Sequence, residues 1–483
     1  MANQVAILHG WSDDSESFRP LAAFLERNGY DAVPIWLGDY ISMSDEVRIE
    51  DVAKRMQEVV LQKRKEDELA KTFDLIVHST GGLVARSWIS TYYPNGIDCP
   101  VKRLLMLAPA NFGSRLATAG KSLLGRVFKG WKHGFQTGRE MLTALELASP
   151  FQWELAQRDL FVPEGSDDAR TAYGEDAVWP FVIVGSHPYP SGPRTLVNEN
   201  GSDGTVRVAA ANLNVRGITV DFAKNLDDPE LTHWRLRRAE DFAFPLAVLP
   251  DRDHGTVILP EANELEYEGP AEFGLPALIL EALNCDKPDT YKAVRDKWFA
   301  ASEDTASLRR PENADELGRR FPGKHTPDTE YYHQYVQIVV RVVDDHGGLV
   351  DDFFIEFFGR RDRENRRSDE ALYFHREVLE NVHPKAQVAT RCLFIDRTDL
   401  VENFYDKVPE GEPKELRATI SAVQPGPKVR YFAEEGESPE GSLLVHSQAE
   451  DRRWLRRNST HFVKIIIPRV PSDEVFTLTR YEA

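Results

Sequence analysis

Ser79 closes the apolar run Leu75-Ile76-Val77-His78 and is followed at once by Thr80-Gly81-Gly82-Leu83. A strand that ends on a serine and passes through small residues into a helix must turn sharply. Such a turn lifts the hydroxyl above the sheet edge, where a base can reach it. Glycine two positions beyond the serine lets helix and strand approach closely, because a Cβ there would collide. The helix N-terminus also presents backbone N–H groups beside the reacting centre, where negative charge develops. The Thr80 N–H is the natural first oxyanion donor. This is the chemistry of acyl transfer through a serine nucleophile.

Three further segments carry side chains that such chemistry needs. His9-Gly10-Trp11 directly follows the first apolar run, Val5–Leu8. Read alone it is a glycine-containing turn after a strand. Gly201-Ser202-Asp203-Gly204-Thr205-Val206 places an aspartate between glycines, which alone reads as an Asx-turn. Pro250-Asp251-Arg252-Asp253-His254-Gly255-Thr256-Val257 follows a strand and precedes the last helix of the first three hundred residues. His254 stands out by that position among 13 histidines. His78, beside the serine, packs or hydrogen-bonds near the turn.

With these residues on the page, the first three hundred residues resemble the α/β-hydrolase superfamily, and within it the lipase-like serine esterases. The family motif is G-x-S-x-G. Val77 stands where its first glycine would be, so the later half matches. The resemblance implies a triad of Ser79, Asp203 and His254, in the chain order Ser, Asp, His that this superfamily uses. His254 then takes the Ser79 proton and returns it to the leaving group, while Asp203 fixes its tautomer and stabilises the imidazolium. The resemblance also implies that the Trp11 N–H joins that of Thr80 in an oxyanion hole, with His9, Gly10 and His78 on the substrate side. Leu107-Ala108-Pro109-Ala110-Asn111-Phe112-Gly113-Ser114-Arg115-Leu116-Ala117 resembles what lipase-like hydrolases carry after the strand that follows the nucleophile helix.

The elements that must position these groups alternate. Strands are expected at Val5–Leu8, Asp31–Leu37, Asp74–Val77, Arg103–Leu107, Phe181–Gly185 and Phe244–Leu249. Helices are expected at Phe18–Asn28, Arg48–Lys71, Leu83–Tyr93 and Leu275–Asn284. This alternation indicates parallel crossovers in an α/β sheet covered on both faces. Lys121–Leu147 is long for a connection and mixes apolar with basic residues. It is expected to be part of a helical cap near 114–165, or an ordinary helical excursion packed on the core.

A chain of 483 residues exceeds the ~250–300 residues over which one core grows, so two domains are expected. Residues 301–330 are charged, contain prolines and read as a linker. From 331 onward the period becomes that of short strands: Tyr335–Val343, Leu349–Phe358, Gln387–Ile395, Leu416–Val423, Val429–Phe432, Ser442–Val445, His461–Pro468 and Val475–Thr479. Gly, Pro and Asp turns separate them, which predicts an antiparallel β-sandwich. Arginine-rich stretches at 359–367 and 452–457 are solvated turns, or a contact for a lipid surface or protein partner.

The net charge of −19 opposes nucleic-acid binding. No apolar run approaches the ~20 residues of a membrane-spanning helix. The first residues lack the pattern of a secretory leader, and three cysteines, Cys99, Cys285 and Cys392, give no disulfide framework. A cytoplasmic protein with no cofactor and no metal site is expected. The reading that follows is an esterase for lipid or acyl substrates. An amidase or thioesterase with the same triad, and a non-catalytic adaptor binding through its C-terminal domain, are the alternatives.

Overall fold

Ile35–Gly38 (β2), Gln4–Leu8 (β1), Phe73–His78 (β3), Val101–Leu107 (β4), Trp179–Gly185 (β5) and Leu246–Leu249 (β8) lie side by side in that order in the computed structural model. Every neighbouring pair is parallel. The structure describes residues 4–10, 15–30, 35–118, 138–189, 195, 198–226, 228–259, 273–308, 310–313, 315–316, 319, 332–359, 369–382, 389–408, 410–411, 413–431, 443–448 and 454–480. Along β3 and β5 every residue is buried, which is why these strands read as unbroken apolar runs. The strand order reverses at β1. Parallel sheets bind ligands outside the carboxyl ends of their strands at such a switch point, and β1 and β3 deliver Gly10 and Ser79 to that place.

The helices behind the sheet follow their sequence signals. Ile49–Lys65 (α2) carries Glu50 and Asp51 in its first turn and Lys63, Arg64 and Lys65 in its last, which complements the helix dipole at both ends. Gly81–Tyr92 (α3) is buried along most of its length. Arg139–Leu145 (α4) and Pro150–Asp159 (α5) fall in the stretch expected to cap the site. Met141, Leu142, Trp153 and Leu155 are buried there, as in an ordinary packed excursion. Residues 119–137 of that stretch lie outside the described residues.

The helix Pro288–Leu308 (α7), preceded by Leu275–Asn284 (α6), overrides the expectation that a linker begins at 301. Its buried residues are Tyr291, Val294, Trp298, Ser302, Thr305 and Leu308, and its polar members have work at the sheet edge. The Ser302 hydroxyl donates to the Leu246 carbonyl at 2.9 Å and accepts from the Val248 N–H at 3.0 Å. The Thr305 hydroxyl donates to the Val248 carbonyl at 2.6 Å. Edge strand β8 is thereby capped by side chains, which blunts an otherwise open edge.

The chain divides into two compact units, and the division is not a single cut. One unit comprises Met1–Val215, Arg235–Gln334 and Asn458–Thr460. The other comprises Arg216–Trp234, Tyr335–Arg457 and His461–Ala483. The expected boundaries therefore need correcting: residues 216–234 fold with the C-terminal unit. In that unit a six-stranded sheet runs Leu379–Val382 (β11), Thr390–Asp396 (β12), Tyr335–Asp344 (β9), Ser459–Ile467 (β16), Arg216–Asp221 (β6) and Glu230–His233 (β7). A three-stranded antiparallel sheet holds Phe353–Phe358 (β10), Glu415–Ala422 (β13) and Leu443–Ser447 (β15). One core joins the two sheets: Val336, Ile338, Val340 and Val342 of β9 share it with Phe353, Phe357, Leu416 and Ile420.

A sandwich-like C-terminal unit was expected; the pairs β11–β12, β12–β9, β6–β7, β10–β13 and β13–β15 are antiparallel, as is the separate ribbon of Val429–Tyr431 (β14) with Arg469–Pro471 (β17), but the unit is not antiparallel throughout. Strand β6 pairs with β16 in parallel, because it arrives from the first half of the chain rather than from a hairpin. Val475–Thr479, expected as a strand, forms none. Among the described residues, no helix is long and apolar enough to cross a membrane. Residues 360–368 and 449–453, which include most of the arginine-rich stretches, lie outside the described residues.

Candidate active site

Ser79 has φ of 52°, a left-handed conformation that a non-glycine residue adopts only where its surroundings impose it. Here the neighbours do impose it. The Ser79 N–H donates to the Leu107 carbonyl at 3.1 Å, and its own carbonyl accepts from Gly82 at 3.1 Å and Ala110 at 3.2 Å. A Cβ at position 81 would stand 2.9 Å from the His9 carbonyl oxygen, and one at position 82 would stand 2.9 Å from the Pro109 Cβ. Val77 stands in place of the family glycine, and even a Cβ at position 81 would meet the Val77 Cβ only at an ordinary contact distance of 3.4 Å. Gly10 closes the other side, where a Cβ would come within 2.8 Å of the Ser79 Cβ.

The turn leaves Ser79 partly exposed, with His254 above it. His254 Nε2 lies 3.1 Å from Ser79 Oγ, and Nδ1 lies 2.9 Å from Asp203 Oδ2. With Nδ1–H donating to the carboxylate, Nε2 is left to accept the serine proton. Asp203 is fully buried, and its Oδ1 accepts from the Thr205 and Val206 N–H groups at 2.9 and 2.8 Å. The carboxylate thus has a partner for each oxygen, as a buried charge requires. The His254 N–H also donates to the Asp203 carbonyl at 2.9 Å. The structure therefore brings together Ser79, Asp203 and His254, which are far apart in the sequence.

The remaining expected site residues divide. Thr80 caps α3, and among the described residues neither its N–H nor its buried hydroxyl has a hydrogen-bond partner. An unpaired N–H at a helix start beside a nucleophile suits a developing oxyanion. Trp11 lies outside the described residues. His9 and His78 are 2% and 3% exposed, so both rings are packed beside the nucleophile turn, as expected from the sequence for His78. His9 donates from Nδ1 to the Gly10 carbonyl at 2.6 Å and accepts at Nε2 from the Tyr40 N–H at 3.1 Å. Its ring stacks on Tyr40 with centroids 4.3 Å apart. Both ring nitrogens hold the loop that carries Gly10.

Several supporting residues escaped the sequence reading. Gly185 ends β5 where the His254 loop returns, and a Cβ there would lie 1.8 Å from the Arg252 carbonyl oxygen. Glycine at the end of a buried strand is a weak signal for such a close approach. Asp253 Oδ1 accepts from the N–H groups of Gly255 and Thr256, both at 2.9 Å, and shapes the histidine loop. Gly204 has φ of 93°, and the Tyr189 ring occupies the space its Cβ would need. The Ser114 hydroxyl donates to the Thr205 carbonyl at 2.6 Å, tying the acid loop to the segment after β4.

Behind the nucleophile helix lies a buried ion pair. Arg86 of α3 donates to Asp159 of α5 through Nε at 2.8 Å and through a terminal nitrogen at 3.0 Å. Burial works against the guanidinium charge, but Asp159 outweighs it and raises the Arg86 pKa. Burial, and then the Asp159 charge, pushes the neighbouring Tyr173 phenol well above its ordinary value.

Comparison with known proteins agrees with this fold. The family model of palmitoyl protein thioesterases matches residues 4–136, a segment that holds the His9-Gly10 turn and the Ser79 elbow. Phospholipase PlaB from Legionella pneumophila superposes over 99% of this chain and 96% of its own, at 23% identity and a TM-score of 0.76. The same phospholipase in complex with thio-NAD superposes over the same shares with a TM-score of 0.74. A search of curated protein sequences found no match. Sheet order, elbow and whole-chain likeness agree on the architecture: the chain has the α/β-hydrolase fold, extended by a C-terminal unit of β-sheets.

Proposed function

We propose that this protein is a serine hydrolase that cleaves carboxylic esters of lipid or acyl substrates through an acyl-Ser79 intermediate. The observation that carries this reading is His254, with one ring nitrogen 3.1 Å from Ser79 Oγ and the other 2.9 Å from Asp203. In the proposed reaction Ser79 Oγ attacks the carbonyl carbon as its proton passes to Nε2. The Thr80 N–H, with the Trp11 N–H expected from the sequence, stabilises the oxyanion. The imidazolium, held by Asp203, then protonates the departing alcohol. A water activated by the same nitrogen cleaves the acyl-enzyme and restores the serine.

A thioester is the second reading, supported by the family model matched over the elbow. The same groups serve it, because both bonds break through an oxyanion and an acyl-serine. The adaptor alternative has less support, since a buried carboxylate aligned on a histidine aligned on a serine has no evident use in partner binding.

A panel of p-nitrophenyl esters, a phospholipid and a palmitoyl-cysteine thioester separates these readings. The wild type should turn over at least one ester class, and Ser79→Ala should lower that rate on the order of 10⁴-fold or more. Equal turnover by wild type and Ser79→Ala would overturn the assignment. Preference for the thioester at matched acyl length would select the second reading.

A further inference from the structure

The base has a second support besides Asp203. His78 Nε2 lies 3.0 Å from the His254 carbonyl oxygen. Since a carbonyl only accepts, the His78 ring donates. The two imidazoles also touch, with centroids 4.7 Å apart and planes tilted by 44°. Phe18, itself buried, backs the His78 ring at 5.8 Å. His78 belongs to rigid strand β3 and immediately precedes Ser79. One strand end therefore carries both the nucleophile and a clamp on the main chain of its base.

From this placement we infer that His78 is a positioning residue for His254. It sets the distance between Nε2 and Ser79 Oγ by holding the loop that presents the imidazole. Asp203 fixes the ring through Nδ1 and the peptide N–H, and His78 fixes the carbonyl of the same residue. With both supports the ring neither rotates nor withdraws. Without the His78 donor, the His254 carbonyl loses this hydrogen bond and the neighbouring ring loses its contact with the His78 imidazole. A shift of about 1 Å in a reacting group can cost about 10²-fold in rate. The inference rests on the reading of Ser79 as the nucleophile.

The test compares His78→Gln, His78→Asn and His78→Met in the full chain, with Ser79→Ala as control. Glutamine can place its amide nitrogen near the position of Nε2, asparagine is too short, and methionine fills the space without donating. Kinetics with a p-nitrophenyl ester, the rate of fluorophosphonate labelling and thermal unfolding would be measured together. The glutamine variant should stay within several-fold of wild type. The asparagine and methionine variants should lose about 10- to 100-fold in kcat and in labelling rate, with KM nearly unchanged. If methionine prevents folding, the contrast between glutamine and asparagine decides. Folded asparagine and methionine variants with wild-type kcat would overturn the inference, as would a folded glutamine variant as impaired as asparagine. A wild type that takes no label at all would instead overturn the hydrolase reading, and this inference with it.

Discussion

Gly10 shows how little room surrounds the nucleophile. A Cβ added there would meet the Ser79 Cβ at 2.8 Å and both the ring and the carbonyl oxygen of His78 at 3.3 Å. Gly10→Ala should leave the protein folded, at a cost of about 1–3 kcal/mol for overpacking. It should slow fluorophosphonate labelling by about 10²-fold through displacement of the hydroxyl. Labelling rates and thermal melts on the same sample check both halves of this prediction. Ser79, Asp203 and His254 were legible because each lies in a short local pattern with a resemblance attached. Gly185 and Asp253 were not, since what constrains Gly185 is a carbonyl from a distant loop, and what Asp253 does depends on a turn that periodicity does not reveal. The packing of His78 beside the turn was legible, whereas the hydrogen bonds of His9 to Gly10 and Tyr40 were not, because a polar ring near a nucleophile reads equally well as lining or as scaffold.

At the scale of elements, the nucleophile helix is anchored by charge as well as by apolar packing. Arg86 and Asp159 are both fully buried and joined by two hydrogen bonds. Asp159→Ala would strand a guanidinium in the interior and should cost about 3–5 kcal/mol. Urea denaturation of the variant would show this, and an unchanged midpoint would contradict it. The parallel sheet was readable strand by strand because β3 and β5 are apolar on both faces. The α7 helix was missed, with Leu275–Asn284 expected as the last helix of this half, since Ser302 and Thr305 interrupt its buried stripe with polar residues whose partners are the backbone of β8. Strand β6 was missed for a related reason. Its partner β16 lies far along the chain, and Gly217 and Thr219 dilute the apolar alternation of Ile218 and Val220.

At the scale of the whole molecule, the C-terminal unit cannot be removed by cutting where the composition changes. Strand β6 pairs with β16, and Ile218 and Val220 are buried in the core built mainly by residues after 331. A chain ending at residue 331 would keep β6 and β7 but lose β9 and β16, leaving apolar positions and sheet edge open. Such a truncation should aggregate, whereas full-length Ser79→Ala stays soluble. Size-exclusion chromatography of the two decides, and a monodisperse truncated chain would contradict the shared core. The central claim concerns a single oxygen atom, and the most direct measurement is mass spectrometry of the full chain after reaction with a fluorophosphonate. The account predicts one adduct, on the peptide containing Ser79, absent in Ser79→Ala and greatly slowed in His254→Ala. A folded wild-type protein that takes no adduct, or takes it on another residue, would contradict it.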